Sequence, residues 1–340
     1  MVNSPRTGIT LDRRKFLQIV AVAGVAGALR FPALGEAKPK LYSVIKSQPM
    51  MGTVLNLIVY SPDRDQAEEA VQATTRQMLA VERRLSRFRD DSEVARLNRT
   101  GSLIDAGDDL LAVLDLAGRI NQKSSGAFDI TVLPMLDLYQ KQTHSPEKLP
   151  SLLAARAKLV NQNNLRLTGR RVELLKAGMG ITLDGIGKGY VVDRGTATLA
   201  KYGFDRVYVE AGGDLLVKGD KAANTPWRIG LQNPRPQVAR KLVVIEAENM
   251  AVATSGDYYQ PFSADLRLHH ILDPRTGLSS PELASCTVTA PNAALADGLA
   301  TACMVLGSDE ATDLLKSFPG CEGYFVGKDL RVRKTTGFAG

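Results

Sequence analysis

Thr182-Leu-Asp-Gly-Ile-Gly-Lys-Gly-Tyr190 is the stretch that decides how this chain is read. A short apolar segment, Met179 to Leu183, runs into three glycines with a lysine between them, and helix-compatible sequence follows from about Tyr190 to Tyr202. Chains bind phosphate with this order. Glycine lets the backbone approach closely, N–H groups point outward, and the helix N-terminus carries partial positive charge. The same order also makes an ordinary tight turn between a strand and a helix. The polar motifs elsewhere decide between the two.

Outward from that stretch, the chain of 340 residues has room for one large domain or two ordinary ones. Its 44% hydrophobic and 23% charged content suits a globular protein with a sizeable core. The net charge is +7, and part of it lies in residues 1–37, where Arg6, Arg13, Arg14, Lys15 and Arg30 face Asp12 and Glu36. The remainder suits an anionic substrate. No basic stripe interleaved with aromatics points to nucleic acid. Cys286, Cys303 and Cys321 form no C-x-x-C or zinc pattern, so three buried thiols are expected, with one disulfide and a leftover cysteine as the alternative.

Residues 1–37 read as a leader. Asp12-Arg-Arg-Lys-Phe-Leu17 precedes a weakly apolar run, Gln18 to Leu29, rich in Ala and Gly. The pattern resembles a twin-arginine export signal and is short of the ~20 apolar residues a spanning helix needs. The mature chain is therefore expected in the periplasm, with an uncleaved anchor at the inner membrane as the alternative. Residues 38–47 read as a linker, 48–333 as the folded domain and 334–340 as a tail.

Within the domain, Met50 to Tyr60 reads as one strand, nearer to a continuous buried run than to strict alternation. Ala67, Ala70, Val71, Thr74, Met78, Leu79 and Leu85 mark one face of a long helix. Phe88 follows among arginines, where it can cover a planar ring while Arg87 or Arg89 meets an anion, or simply belong to a salt-bridged surface. A second amphipathic helix spans about Asp108 to Lys123. Gly126-Ala-Phe-Asp129 is either a pocket wall or a turn. Short strands are expected at Leu165–Leu167, Val172–Leu175 and Ile181–Leu183. Further strands lie on either side of Gly212-Gly213 and at Trp227–Leu231, Leu242–Ile245, Ala251–Thr254 and Ser285–Thr289. Helices and strands mix without strict βαβ alternation, which predicts an α+β fold with mixed sheets and flanking helices.

Two further stretches carry chemistry. Leu268-His-His-Ile-Leu-Asp-Pro-Arg-Thr-Gly277 holds two of the three histidines, before a turn that Asp273-Pro274 starts. Ala294 to Leu306 is an almost wholly apolar helix interrupted by Asp297 and Thr301, four apart and so on one face. A buried carboxylate needs a counter-charge or a metal. With a hydroxyl and carbonyl oxygens it makes a hard-cation site, hence Mg2+, against the alternative of an acid near a helix cap.

Taken in order, Met51-Gly-Thr53, Ser86-Arg-Phe-Arg-x-x-Ser-Glu93, Gly126-Ala-Phe-Asp129, Asp184-Gly-Ile-Gly-Lys-Gly-Tyr190, Glu210-Ala-Gly-Gly-Asp214, Thr254-Ser-Gly256, His270-Ile-Leu-Asp-Pro-x-Thr-Gly277 and Ala296-Asp-x-x-x-Thr301 resemble the ApbE family, the FAD:protein FMN transferases. The resemblance implies a Mg2+-dependent enzyme that takes FAD and transfers its FMN half to a Thr or Ser hydroxyl of a target flavoprotein, releasing AMP. It implies contact with a membrane only through that partner. It puts Met51, Phe88, Ala127, Phe128 and Asp129 at flavin- or adenine-side contacts. Thr182, Lys188, Ile271 and Leu272 fall along the FAD, with His270 beside them. The Gly185 carbonyl, Asp297 and Thr301 fall at the metal. The family often has Asp at the place of Thr182 and a small residue at that of Asp184, so Asp184 is a substitute candidate for the displaced acid. Many members carry Tyr where Phe88 stands.

The residues fit that chemistry. Attack on a pyrophosphate needs charge neutralised on its oxygens, by Mg2+ at Asp297 and Thr301 and by amides of the glycine stretch. The acceptor proton needs a base, for which His270 is the first candidate and Asp184 the second. Two other readings are an FAD-binding carrier without transfer and a Mg2+-dependent FAD pyrophosphatase with water as acceptor.

Overall fold

The computed structural model describes residues 41–141, 146–221, 225–239 and 241–339. The leader and the first residues of the expected linker lie outside them. The chain opens with a hairpin of β1 (Tyr42–Met50) and β2 (Thr53–Ser61), then α1 (Arg64–Leu85), α2 (Glu93–Thr100), β3 (Ser102–Leu103) and α3 (Asp108–Lys123). Two short helices follow, α4 (Leu133–Lys141) and α5 (Leu149–Ala157), then β4 (Leu165–Thr168), β5 (Arg171–Leu174) and α6 (Gly187–Lys201). The second half holds β6 (Val207–Ala211), β7 (Asp214–Lys218), β8 (Trp227–Leu231), β9 (Val243–Ala247), β10 (Met250–Gly256) and β11 (Leu283–Ala290). It ends with α7 (Ala293–Leu306), α8 (Ser308–Lys316), β12 (Glu322–Gly327) and β13 (Val332–Lys334).

Eight strands form one sheet in the order β1-β2-β6-β7-β10-β11-β12-β13, each neighbouring pair antiparallel. Smaller sheets are β3-β5-β4 and β8-β9. This is the α+β architecture expected. One face of the large sheet carries Leu55, Leu57, Val59, Val207, Val209 and Leu216 into the main core beneath the helices. The other face meets the β8–β9 hairpin, where Trp227, Ile229 and Ile245 pack on Leu215, Val217 and Val252. Alternation explains the split: Leu215 and Val217 face one way and Leu216 the other. No helix among the described residues is long and apolar enough to cross a membrane.

Several boundaries differ from those expected. Met50 to Tyr60 is not one strand. It folds back at Met51-Gly52, both at positive φ (52° and 70°), with Met50 paired to Thr53. A two-residue hairpin turn of type I′ demands that conformation at both positions, and Met51 gives no sign of it in the sequence. The partner strand comes from the expected linker, since residues 42–47 belong to β1. β2 alternates strictly between buried and half-buried positions, because its two faces meet different layers. Leu79, expected on the buried face of α1, is 39% exposed, whereas Ala67, Ala70, Val71, Thr74, Met78 and Leu85 are buried. Residues 179–183 form no strand, and α4 appears where no helix was expected. Residues 334–339 pack rather than trail: Phe338 is buried against Tyr324 in the second core. All three cysteines are free and buried, as expected.

Helices α6 and α7 cross in very close contact. Gly189 sits against the backbone of Ala293, where any Cβ would overlap the Ala293 carbonyl. The Asp193 carboxylate accepts from the amides of Ala293 (2.7 Å) and Ala294 (2.9 Å), capping α7 from a neighbouring helix. Gly195, two turns on, faces the Met78 thioether instead; a Cβ there would lie 2.5 Å from Sδ. Backbone cannot yield and a methionine can. Gly189→Ala is therefore expected to lower unfolding stability by at least ~2 kcal/mol. Gly195→Ala is expected to cost less, because helix propensity returns up to ~1 kcal/mol. Urea denaturation of both variants tests this, and equal losses would refute it.

Candidate functional site

The glycine stretch is the hub of the site, though not as a phosphate cradle. Residues 179–183 run extended, held by Asn98, whose side chain accepts from the Ile181 amide (2.7 Å) and donates to its carbonyl (2.8 Å). The Thr182 amide donates to the Ile130 carbonyl, and its hydroxyl accepts from the Asp184 amide at 3.2 Å. Helix α6 then starts at Gly187, earlier than expected. The Gly187 amide is already bonded to the Leu183 carbonyl (2.7 Å), and the Gly189 amide donates to Asp297 Oδ2 (3.1 Å). These two amides are spent inside the protein, which corrects the phosphate-donor reading for them.

The carbonyl of Gly185 faces the other way. Thr301 Oγ1, on α7, donates to it at 3.4 Å and lies 3.3 Å from Ser255 Oγ on β10. A side chain at 185 would crowd Thr301, with its Cβ 2.9 Å from Oγ1. One turn before Thr301, Asp297 is 3% exposed. Its Oδ1 faces Lys188 Nζ at 3.7 Å, and that ammonium lies 2.6 Å from Asp214 Oδ2. Burial and the Asp214 charge push the Asp297 carboxyl well above the usual carboxylate range, against the pull of Lys188 and the Gly189 amide. Burial alone would lower the Lys188 ammonium, but Asp214 and Asp297 overcome it and hold its pKa above the ordinary lysine value. A hydroxyl and a carbonyl oxygen thus meet at Thr301 and Gly185, one turn along α7 from a carboxylate that shares one ammonium with Asp214. Among the described residues no group of three or more His, Cys, Asp or Glu is arranged to hold a metal. The available donors are mainly of other types, and hard cations take hydroxyl and carbonyl oxygens readily.

The rim is more open. Asp184 Oδ2 accepts from Arg87 Nε at 2.8 Å, Arg87 also donates to Gln140 (3.3 Å), and its guanidinium lies 4.1 Å from the centroid of the Phe88 ring. Phe88 is 73% exposed, free to cover a planar ligand. His270 is half-buried with its Nδ1 lacking a hydrogen-bond partner. Burial, with His269 and Lys188 nearby, pushes its imidazole down to about 4.

Other expected contacts are turned inward. Ala127 and Phe128 are core residues. Asp129 accepts from the Thr131 amide (2.8 Å) and hydroxyl (2.6 Å) and from the Gln162 amide (3.0 Å), so its carboxylate ties two loops together. Ile271 packs in the main core and Leu272 in a smaller one with Met135 and Leu153. Met51 is the hairpin turn, half-buried against the main core. Three polar residues beside the site carried no expected role: Asp214, Ser255 and Gln140. Asp214 had a legible sign, an acid directly after Gly-Gly at the head of the apolar run Leu215-Leu216-Val217.

With this geometry in place, the chain can be set beside known proteins. The ApbE family model matches residues 51–325. The chain belongs to the ApbE family. A relative from Treponema pallidum, FAD:protein FMN transferase, is 32% identical over 89% of this chain and 89% of its own length. The solved structure of the flavin transferase ApbE from Vibrio cholerae superposes with a TM-score of 0.75 at 28% identity, covering 87% of this chain and 97% of that one. The ApbE protein of Thermotoga maritima gives 0.76 at 27% identity, covering 87% and 97%. The ApbE fold therefore extends over nearly all the described residues.

The low His270 value has a consequence for stability. From the ordinary 6.5 down to about 4, the unfolded chain takes up a proton that the folded chain refuses. The stabilising contribution is complete above pH 6.5 and is lost as pH falls toward 4. His270→Asn should shrink the stability loss between pH 7 and pH 5 by on the order of 1–2 kcal/mol. Thermal unfolding across that range checks it, and parallel curves for variant and wild type would clear His270 of the linkage.

Proposed function

We propose that this chain, a flavin transferase of the ApbE family, moves the FMN half of FAD onto a Thr or Ser hydroxyl of a target flavoprotein in a Mg2+-dependent reaction that releases AMP. The Gly185 carbonyl beside the Thr301 hydroxyl, one turn along α7 from the buried Asp297 carboxylate, carries this reading. These are the donors a small hard cation takes. The two carboxylates around one ammonium leave an excess of negative charge for it to balance. The names of the relatives, FAD:protein FMN transferase, supply the substrate class.

In this reading the acceptor oxygen attacks the FMN-side phosphorus, the bond to the bridging oxygen breaks, and AMP leaves with that oxygen. Mg2+ bound at this donor set would draw off charge from the pyrophosphate oxygens as the bond breaks. Asp297 and Thr301 hold it, and their helix is fixed by the Asp193 cap. Lys188 supplies a fixed positive charge beside the diphosphate. Phe88 covers a ring, and Arg87, paired with the part-exposed Asp184, meets an anion at the rim. His270 takes the hydroxyl proton, since its imidazole is neutral at physiological pH and its Nδ1 is unpartnered. Asp184 is the poorer acceptor because Arg87 already occupies its Oδ2. The leader, outside the described residues, suits an acceptor that faces the periplasm.

The test is incubation with FAD, Mg2+ and a candidate acceptor, followed by AMP assay and denaturing-gel fluorescence. Wild type is expected to give a fluorescent acceptor band and equimolar AMP, both lost with chelator. FMN and AMP without a band would make water the acceptor, and bound FAD with neither product would make the chain a carrier. Asp297→Ala is expected to abolish AMP release, at least ~100-fold, while weakening FAD binding far less. Unchanged turnover in that variant would remove Asp297 from the metal site.

A further inference from the structure

Asp214 has no role in the assignments above, yet it is one of the two carboxylates that share the Lys188 ammonium. It opens β7 and is 1% exposed, with the apolar Leu215, Leu216 and Val217 behind it. Such a carboxylate is costly to bury without a partner. Its position is enforced from several sides. Glu210, itself buried, accepts from the Gly213 amide at 2.6 Å and from Asn56 Nδ2 at 2.5 Å. Gly212, at a φ of 64°, lies so close to Thr53 that a Cβ would stand 2.7 Å from its Oγ1. The turn that aims Asp214 therefore has no room to relax. What it aims at is Lys188, whose Nζ is 2.6 Å from Asp214 and 3.7 Å from Asp297 Oδ1, beyond hydrogen-bond range. The other Asp297 oxygen is occupied by the Gly189 amide.

We propose that Asp214 is a positioning residue that holds the Lys188 ammonium away from Asp297 and so keeps one oxygen of that carboxylate open to a divalent cation. This rests on the reading of Asp297 as a metal ligand. An ammonium and a hard cation compete for the same carboxylate oxygen. Without Asp214, the flexible Lys188 side chain closes on Asp297, the other carboxylate it faces, and a metal has to displace it. With Asp214 present, Lys188 keeps its charge in the site but leaves the ligand free.

Mn2+ is the probe, with free ion counted by electron paramagnetic resonance against the metal-free full chain. Wild type is compared with Asp214→Asn, Lys188→Met, their double variant and Asp297→Asn, and a crystal structure of metal-free Asp214→Asn is determined. Asp214→Asn is expected to bind Mn2+ at least about tenfold more weakly, with Nζ moved within hydrogen-bond distance of Asp297. In a Lys188→Met background, Asp214→Asn is expected to weaken Mn2+ binding far less than it does in the wild-type background, which a purely structural role for Asp214 would not produce. In the transfer assay, the Mg2+ concentration for half-maximal rate should rise in Asp214→Asn by more than kcat falls. An affinity for Mn2+ within about twofold of wild type in Asp214→Asn, or an ammonium that stays out of reach of Asp297, overturns the proposal. If Asp214→Asn does not fold, Asp214→Asn/Lys188→Met, which removes both buried charges, is compared with Lys188→Met: Mn2+ affinities within about twofold support the proposal, and a further loss of about tenfold or more overturns it. Asp297→Asn separates the two levels. If it binds Mn2+ like wild type, the metal reading fails and this inference with it; if it loses Mn2+ while Asp214→Asn does not, only the role of Asp214 is rejected.

Discussion

The site depends on one contact, the meeting of Gly189 on α6 with the backbone of α7 at Ala293. A side chain there would push the helices apart. Its absence lets the Gly189 amide reach Asp297 and the Asp193 carboxylate reach the first amides of α7. These three hydrogen bonds lock the helix pair in register as well as in distance. Gly185, just before α6, then faces Thr301, and Lys188 faces Asp297. A shift of α7 by one residue would rotate its side chains by about 100° and remove both acid and hydroxyl from the turn. The packing of the fold and the placing of the donors are therefore the same event.

Around that contact the polar groups divide into two sets. The inner set, Asp214, Lys188 and Asp297, is buried and held by tight turns. It resists rearrangement because an unpaired charge there is costly. The outer set, Arg87, Asp184 and Phe88, lies at the rim, with Asp184 40% exposed in its side chain. Its partner Arg87 is 10% exposed, so the pair opens to solvent from the Asp184 side, where water screens the charge. A ligand reaches the pair from that side, which suits a rim that must admit a large dinucleotide and then an acceptor chain.

The sequence made some of this legible, and physical reasons explain the rest. The helix Asp108–Lys123 was readable at both ends because its apolar spacing stops where Ser124-Ser125-Gly126 begins. Asp297 and Thr301 stood out as polar residues in an apolar helix, and their common face follows from the four-residue spacing. The glycines of 185–189 were misread in part. A sequence shows only that a side chain is missing, and it does not show whether a ligand or another helix fills the space. The first hairpin was missed because its turn carries Met at a positive φ in place of the Asn-Gly or Asp-Gly that usually announces one. Asp129 reads as a ligand contact only through the family resemblance, since Gly126-Ala-Phe-Asp129 by itself suits a turn as well as a pocket wall. Its partners, Thr131 and Gln162, are brought together only by the fold. Asp214 could not be linked to Lys188 before the sheet and the helix were seen together.

The electrostatics of the inner set connect folding to the proposed chemistry. Two carboxylates and one ammonium buried together carry an excess of negative charge. The protein alone lessens this by making Asp297 hard to ionise, as its raised pKa records. A cation at Asp297 removes the same excess and leaves the carboxylate ionised. The strain of burying an acid beside another acid, unfavourable for the empty fold, becomes affinity when a hard cation binds. A site with a neutral residue in place of Asp214 would fold without that excess charge, but it would give up that affinity. The apparent defect in the core, one carboxylate too many, is thus the feature that would favour a hard cation in the proposed reaction.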